Sequence, residues 1–413
     1  MKRHGNLFCK ICDLDNIKLA HIKASKDKSF YREVQMVNED LDYYAKQIQD
    51  MLINKTYTIK PWDYNMFKKI DKGKEREIFK LDYFPHRIVQ HALMNVIQPL
   101  LLNTFIDNTF ASIPKRGVHL ALKRLTKDLS MNKEDTKYCL KLDVQKFYPS
   151  INQTICKQLF RKKFKDDDLL WLIDTIINSM GGNKGIAIGS LFSQWAGNYY
   201  LTYFDHWIKE EKKMKFYYRY CDDIVILHKD KNFVHNVKLE IEDYFTNKLD
   251  VEIKNNWQVF PTRKRGIDFL GFRHFDDFIL LRKSTSKTLI KKMRRILKKC
   301  RNGKEMSYSE WCSINSYKGW LKWCNGHNLY KKYVEPLEEY AEEYYKKNIK
   351  KGKKNEPQID ATNLFEEMQN IHNPNGTDYS WLFDDIFGDK NKKNESTIDL
   401  NDIFGDGVQL TNC

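Results

Sequence analysis

Apolar and polar residues alternate with two different periods along the chain, and these periods predict a mixture of helices and strands. The helical period of 3.6 predicts helices at Val34–Met51, Arg87–Ile97, Leu169–Ile177, Ser193–Lys212 and, with many basic positions, across residues 284–345. Alternating or short apolar runs predict strands at Glu77–Leu81, residues 137–144, Phe216–Tyr220, Ile224–Leu227, and a hairpin made of Phe269–Phe272 and Phe278–Leu281. Because helices and strands do not alternate regularly, we expect an α+β fold in which helices back an antiparallel sheet.

Length and composition indicate a folded chain with several domains. The 413 residues are 41% hydrophobic and 14% aromatic, which is enough for a large core and excludes global disorder. No apolar run approaches the roughly 18–20 residues of a membrane helix, and the start of the chain lacks the apolar stretch of a secretory signal. Nine scattered cysteines, an odd number, favour reduced thiols and therefore a cytoplasmic location.

Charge is distributed unevenly along the chain. Residues 355–413 contain 3 lysines and 12 acidic residues, a net charge of −9. Because the whole chain has a net charge of +16, residues 1–354 carry a net charge of +25. A basic body rich in aromatic residues is typical of a nucleic-acid-binding protein, although a solvated lysine-rich surface gives the same composition. A polar linker near Lys350 introduces an acidic C-terminal extension, residues 350–413, which is either a solvating tail or a docking segment.

Three aspartates at strand ends are the main chemical signal. Asp222 and Asp223 lie between two apolar β runs, and Asp143 ends another. If those strands are neighbours, Asp143 and Asp222 converge, and two close carboxylates need a shared proton or a bridging cation. Mg²⁺ prefers such oxygen ligands, and two ions can support phosphoryl transfer. An isolated Asp-Asp pair usually marks a solvated turn, so the interpretation depends on the flanking strands and on Asp143.

Six short motifs follow one another in order within residues 1–345. They are Lys74-x-Arg76-x-Ile78 with Arg87–Leu93, Lys115–His119, Asp143 with Phe147–Ile151, Gly185–Gln194, Tyr220–Asp223, and Phe269–Phe272. Tyr220–Asp223 resembles the YxDD box of reverse transcriptases, and the other motifs are similar to the accompanying motifs of that family, including its primer grip. This resemblance implies a right-hand polymerase architecture and RNA-directed DNA polymerase activity, a nucleotidyl transfer with a two-metal mechanism.

The same resemblance implies domain bounds. Residues 1–136, with 152–184 inserted, would form the N-terminal helices and fingers, and residues 137–283 would form the palm with the catalytic strands and primer grip. Residues 284–349 would form a helical basic thumb, followed by the acidic extension 350–413.

Roles for individual residues follow from the resemblance. The catalytic residues would be Asp143, Asp222 and Asp223, which together with the Val144 carbonyl would hold two Mg²⁺ ions, or Mn²⁺ in their place. Deoxynucleoside triphosphate (dNTP) would be bound by Lys74, Arg76, Gln194 and Tyr148, the last as a steric gate. Template and primer, including an RNA/DNA duplex, would be bound by Gly189, Phe269, Leu270, Gly271, Lys291 and Arg295.

Several of these assignments have a structural alternative. For Gly189 and Gln194 it is a plain turn before the helix that starts at Ser193. Lys74 and Arg76 also fit a solvated hairpin tip, Tyr148 fits an ordinary core position, and Phe269–Phe272 fits a buried hairpin. Lys254 could donate a proton to leaving pyrophosphate, but an exposed surface lysine is the favoured interpretation.

The Gly185–Gln194 motif and the start of the chain indicate which type of reverse transcriptase the sequence resembles. Ile188-Gly189 and Ser193-Gln194, together with the opening Arg3–Phe8, resemble the enzymes of diversity-generating retroelements, which are related to group II intron and retron reverse transcriptases. That type implies error-prone copying of a dedicated template RNA and a small basic accessory protein. The alternatives are an antiphage-defence reverse transcriptase that copies a noncoding RNA, and a non-catalytic RNA-binding scaffold. Template, primer and oligomeric state do not follow from the sequence.

Overall fold

The computed structural model describes residues 3–71 and 74–349. The side chain of Lys74 and the acidic extension 350–413 lie outside the described residues. Within them, helices combine with antiparallel sheets, which confirms the predicted α+β class.

The strands form separate antiparallel sheets. Their bounds are β1 (Asn65–Asp71), β2 (Lys74–Lys80), β3 (Tyr138–Asp143), β4 (Phe216–Tyr220), β5 (Asp223–His228), β6 (Gln258–Pro261), β7 (Ile267–Phe269), β8 (Phe272–His274) and β9 (Ile279–Leu281). Strands β1 and β2 form a hairpin, the order β4-β5-β3-β6 forms the central sheet, and β7-β8-β9 forms a third sheet. The central sheet therefore places the strand that ends in Asp143 beside the strand that begins with Asp223.

Helices make up most of the remaining described chain. Their bounds are α1 (Phe8–Ile11), α2 (Leu14–Ser25), α3 (Arg32–Glu39), α4 (Leu41–Ile53), α5 (Ile88–Leu102), α6 (Val118–Met131), α7 (Phe147–Ser150), α8 (Gln153–Lys163), α9 (Asp167–Asn178), α10 (Leu191–Tyr200), α11 (Thr202–His206), α12 (Lys231–Tyr244), α13 (Thr262–Arg265), α14 (Lys283–Arg301), α15 (Tyr308–Leu321), α16 (His327–Leu329) and α17 (Glu338–Asn348). Short 3₁₀ or π turns are found at Pro61–Asp63, Tyr83–Arg87, Trp207–Glu211, Phe245–Leu249, Tyr330–Val334 and Glu335–Leu337.

The structure refines one sequence-based element prediction and corrects another. The apolar period of Val34–Met51 spans two helices, because Asp40 leaves the helical conformation and its carboxylate accepts a hydrogen bond from the Tyr43 amide, capping α4. The segment Phe269–Phe272 is not one strand: it is the turn that joins β7 to β8, with Phe269 and Phe272 paired across it.

The central sheet packs on one face against α6 and the β7–β8 hairpin. Cys139, Val225 and Phe260 of the sheet share a buried cluster with Leu125 of α6 and Phe269 of β7. The hydrophobic effect of burying these side chains fixes the hairpin against the sheet. The sheet and the turn at residues 270–271 therefore belong to one core.

The described chain divides into two compact units. The larger comprises the residues up to Arg295 together with Asn315–Glu335, and the smaller comprises Ile296–Ile314 and the described residues from Pro336 onward. In the smaller unit, Trp311 stacks on Tyr345 with ring centroids 6.1 Å apart. None of the helices in residues 3–71 and 74–349 has the length and apolar character needed to cross a membrane.

Candidate active site

A two-residue turn between β4 and β5 carries Asp222. Tyr220 and Asp223 pair across the hairpin, so Cys221 and Asp222 form its loop. Cys221 has a φ of 56°, a conformation that glycine usually supplies in such turns and that costs a side-chain-bearing residue about 1–3 kcal/mol. Cys221 is also buried, at 3% exposure. The turn is therefore strained, and the surrounding contacts must hold it.

The register of the central sheet brings the aspartates together. Strands β3 and β5 are antiparallel neighbours, and Asp143 lies opposite Asp223. Asp222 is the residue before Asp223, on the adjoining turn. The convergence predicted from the sequence is thus present in the backbone: all three predicted catalytic residues lie at one end of the sheet.

Two lysines lie beside these carboxylates. Lys141 forms an ion pair with Asp223, and Lys254 Nζ lies 3.5 Å from Asp143 Oδ2. The Lys254 amide also donates to the Asp143 carbonyl at 2.9 Å. The sequence favoured an exposed surface position for Lys254, and this interpretation was wrong, because the chain entering β6 crosses the end of β3.

Burial lowers the pKa of Lys141 to about 8, although the charge of Asp143 acts in the opposite direction. The ammonium group also lies 5.1 Å from the centre of the Phe269 ring. Such a cation–π contact adds attraction at a partly desolvated site. Lys141 therefore connects the aspartates to the β7–β8 hairpin.

The donor set at the aspartates suits a hard divalent cation. Carboxylate and peptide-carbonyl oxygens are the ligands that Mg²⁺ prefers, and the predicted ligand Val144 follows Asp143 directly, where it forms a β-bridge with Ile253. Across the described residues, no group of three or more His, Cys, Asp or Glu side chains is arranged to hold a metal ion alone. A cation here would need further oxygens, which substrate phosphates can supply.

Tyr148 lies directly behind the β4–β5 turn at Cys221–Asp222. Lys146, in the left-handed region with a φ of 44°, turns the chain after β3 into α7, on which Tyr148 lies. The Tyr148 side chain is 7% exposed, and its hydroxyl accepts a weak hydrogen bond from Cys221 Sγ at 3.5 Å. A Cβ built on Gly197 would lie 3.2 Å from the Tyr148 ring, so the missing side chain at Gly197 leaves room for it.

The glycine-rich loop before α10 joins Tyr148 to the β1–β2 hairpin. The Ile186 amide donates to the Tyr148 carbonyl at 3.1 Å, and the Phe79 amide of β2 donates to the Ile188 carbonyl at 3.0 Å. Gly189 has a φ of 107°, and a Cβ there would lie 3.1 Å from Ile78 Cγ2. Both the conformation and the close approach favour glycine at this position.

A cavity of about 240 Å³ opens beside this loop. Residues 189–191 line it together with cationic and aromatic residues, among them Lys80, Arg87, Tyr31 and Phe67, and one acidic residue, Glu33. Such a combination suits a nucleotide, because the cations attract phosphate and the rings offer stacking surfaces. Arg76 lies on β2, and Gln194 lies in the first turn of α10, four residues after its cap Ser190.

The turn at the predicted primer grip has left-handed conformations at both central residues. Leu270 has a φ of 51° and Gly271 a φ of 85°, as a type I′ hairpin turn requires. Trp320 of α15 covers the turn: its ring is stacked on Phe272 with centroids 5.2 Å apart. The Arg282 amide, just before α14, donates to the Gly271 carbonyl at 2.9 Å. The turn is therefore tied to the start of the basic helix.

Helix α14 separates an apolar face from a basic one. Leu289, Met293, Ile296 and Cys300 are buried at helical spacing, whereas Lys291 and Arg295 are exposed. The predicted duplex-binding side chains thus face solvent. The structure places them on the helix that begins beside the Phe269–Phe272 turn.

Sequence reasoning missed a buried ion pair beneath the β4–β5 turn. Arg219 of β4 and Asp205 of α11 both have side chains with 0% exposure, and they form a two-pronged salt bridge. Burial opposes the charged form of Arg219, but the Asp205 carboxylate outweighs it and raises the pKa of Arg219 above its ordinary value. The available signal was an arginine inside an otherwise apolar strand, since buried arginine needs an acidic partner.

Comparison with known proteins identifies the family. A sequence profile described as reverse transcriptase (RNA-dependent DNA polymerase) matches residues 67–274, half of the chain. That range contains every predicted catalytic residue, most of β1, and strands β2 to β8. The α+β fold is accordingly the right-hand polymerase fold that the motif resemblance implied. A comparison with curated proteins finds no match.

Solved structures similar to the chain include two from Candida tropicalis. Apo telomerase gives a TM-score of 0.43 at 11% identity over 74% of this chain and 63% of that one. Telomerase in complex with a TWJ fragment of telomeric RNA gives a TM-score of 0.44 at 11% identity, over 75% of this chain and 58% of that one. The chain spans about three fifths of the length of these structures. On the evidence of the family profile and the site motifs it covers, the chain belongs to the reverse transcriptase (RNA-dependent DNA polymerase) family.

Proposed function

We propose that the protein is an RNA-directed DNA polymerase that extends a primer on an RNA template with dNTPs. The observation that carries this proposal is the register of β3 and β5, which puts Asp143 opposite Asp223 with Asp222 on the adjoining turn. Carboxylates gathered at one sheet end repel one another unless cations neutralise them. Lys141 and Lys254 supply part of that positive charge, and nucleotidyl transfer needs divalent cations at the same place.

The carboxylates of Asp143 and Asp222, with the Val144 carbonyl, would hold Mg²⁺, and Asp223 would orient the site through its ion pair with Lys141. The bound ions would supply charge neutralisation at the attacking and leaving oxygens. Lys254 is within reach of the same site, 3.5 Å from Asp143, and would donate a proton to the leaving pyrophosphate.

Residues around the carboxylates would select and hold the nucleotide. The Tyr148 ring, packed over Gly197, would exclude a ribose 2′-hydroxyl, while Lys74 and Arg76 at the β1–β2 hairpin would bind the triphosphate. Gln194 and Gly189 would shape the pocket around the paired base, with the cavity beside Gly189 receiving template.

The primer would be held by the β7–β8 hairpin, and the duplex would be held by α14. Phe269, Leu270 and Gly271 would grip the primer end, and exposed Lys291 and Arg295 of α14 would contact duplex phosphates. In these terms residues 1–136 with 152–184 would be fingers, 137–283 palm and 284–349 thumb.

Primer extension by the wild-type protein tests the activity. We expect incorporation of dNTPs on an RNA template that requires Mg²⁺ or Mn²⁺ and stops when the ion is chelated. RNA binding without incorporation under either ion would instead indicate a non-catalytic scaffold.

We further propose that the protein is a reverse transcriptase of the diversity-generating retroelement type. The motif formed by Ile188-Gly189 and Ser193-Gln194 supports this. Copying would then be inaccurate at template adenines, and a small basic accessory protein would be a partner. Sequencing cDNA made on a defined RNA tests this. An error rate at adenine no higher than at other bases would favour the antiphage-defence alternative.

The cytoplasmic location stays a prediction.

A further inference from the structure

The buried Arg219 side chain connects several elements of the palm. Its Nε donates to Asp205 Oδ1 at 2.7 Å, and its Nη2 donates to Asp205 Oδ2 at 2.5 Å. Its Nη1 donates to Asn198 Oδ1 at 3.2 Å, and Nη2 donates to the Asn198 carbonyl at 3.2 Å. One guanidinium thus holds α10, α11 and β4 in a fixed relation.

The remaining hydrogen bond reaches the catalytic turn. Arg219 Nη1 donates to the Cys221 carbonyl at 2.9 Å. That carbonyl belongs to the peptide unit between the strained Cys221 and Asp222. Because a peptide unit is planar, fixing its oxygen fixes the direction in which the chain enters Asp222.

The acidic partner is itself held in place. Tyr217 Oη donates to Asp205 Oδ1 at 2.5 Å, and Thr109 Oγ1 donates to Asp205 Oδ2 at 3.2 Å. Tyr217, Arg219 and Cys221 are two residues apart, so the strand period puts the first two on one face, above Asp205. The carboxylate is therefore pre-oriented for the arginine.

Stability alone gives a weak reason for this arrangement. Burying two charges costs hydration free energy that offsets much of the gain from their attraction. A protein with apolar residues of similar volume at these positions is often equally stable. What an apolar pair cannot do is donate a hydrogen bond to the Cys221 carbonyl.

We propose that Arg219, oriented by Asp205, is a positioning residue that holds the strained Cys221–Asp222 turn in the conformation required for nucleotide incorporation. This inference rests on the proposed polymerase function. It concerns two residues that contact neither nucleotide nor primer in that proposal and act through the turn.

The test compares Arg219→Lys with the wild-type full-length protein. Lysine keeps the charge facing Asp205 but lacks the fork that reaches Asn198 and the turn together. The matched control is Lys238→Met, which removes another buried cation, one paired with Glu242 at 2.7 Å on α12. A second variant, Arg219→Met with Asp205→Leu, removes both charges and leaves no unpaired ion.

Four quantities are measured at a temperature below the unfolding transition of every variant. They are kcat and KM for one dNTP, the RNA dissociation constant, and the alkylation rate of Cys221 by iodoacetamide. Peptide mass spectrometry reads the alkylation, with exposed Cys9 as the internal reference. We expect kcat to fall roughly 100-fold in Arg219→Lys and in the double variant, as for an approximately 1 Å misplacement. KM and RNA affinity should change less than about twofold, and Cys221 alkylation should rise about tenfold relative to Cys9.

The control should keep the wild-type kcat and Cys221 alkylation even where its unfolding midpoint falls. An unchanged kcat in Arg219→Lys, a fall in kcat without faster alkylation, or recovery of activity in the double variant would overturn the proposal. Failure of both Arg219 variants to fold would overturn it too, by showing that the pair serves folding. If the wild type incorporates no dNTP, the polymerase proposal fails instead, and the alkylation ratio still shows whether Arg219 holds the turn.

Discussion

Replacing Gly271 by alanine tests how the turn beside the active site is held. The residue has a φ of 85°, which costs an alanine about 1–2 kcal/mol. A Cβ there would also lie 2.5 Å from Trp320 Cζ3, and the Trp320 ring is stacked on Phe272 and cannot simply turn away. Overpacking of this kind costs about 1–3 kcal/mol, so the free energy of unfolding should fall by about 2–5 kcal/mol in total.

Urea unfolding followed by circular dichroism measures this loss, with Gly182→Ala as the matched control. Gly182 has a φ of 67° and nothing within 4 Å of a built Cβ, so it isolates the conformational cost of about 1–2 kcal/mol. Adding Trp320→Leu to Gly271→Ala should recover part of the packing loss. If Gly271→Ala is no more destabilising than Gly182→Ala, Trp320 does not constrain the turn and the reasoning is refuted.

Three further outcomes are expected. Tyr148→Ala should raise ribonucleotide incorporation relative to dNTP by at least about tenfold in single-nucleotide assays, and unchanged discrimination would make Tyr148 a packing residue only. Lys254→Met should lower kcat roughly 100-fold with unchanged RNA affinity; a kcat within twofold of wild type would exclude proton donation by Lys254. Burial lowers the pKa of His274 from 6.5 to about 4, so the unfolded chain takes up this proton first on acidification. Stability should therefore fall between pH 6.5 and 4 by about 3 kcal/mol more in the wild type than in His274→Gln, with exposed His327→Gln as the control; equal pH profiles would contradict the assigned burial.

The sequence predicted the central strands well because their patterns are local. Phe216–Tyr220 is reproduced residue for residue, and the aspartates converge because one apolar strand ends in Asp143 and its neighbour begins with Asp223. Gly189, which the sequence singled out through its motif, has a φ of 107°, a backbone conformation that residues with side chains rarely adopt.

Features that depend on tertiary contact were not predictable. The Phe269–Phe272 segment looked like a strand because its residues are mostly apolar. Its turn needs Leu270 in the left-handed conformation, and leucine is not a residue type that predicts this conformation. Lys254 looked like one of many surface lysines, since only the pairing of β6 with β3 brings the chain back to Asp143. The partner of Arg219 is 14 residues earlier, on a helix whose contact with β4 cannot be read from either segment alone.

The most direct test of the account is dNTP incorporation by Asp143→Asn and Asp222→Asn. Each change removes one carboxylate charge at the end of the central sheet and preserves side-chain volume. On a primed RNA template with Mg²⁺, we expect both variants to lose incorporation almost completely while RNA affinity stays near that of the wild type, because template binding depends on distributed phosphate contacts. Incorporation above about a tenth of the wild-type rate in both variants would contradict the claim that these aspartates form the catalytic centre.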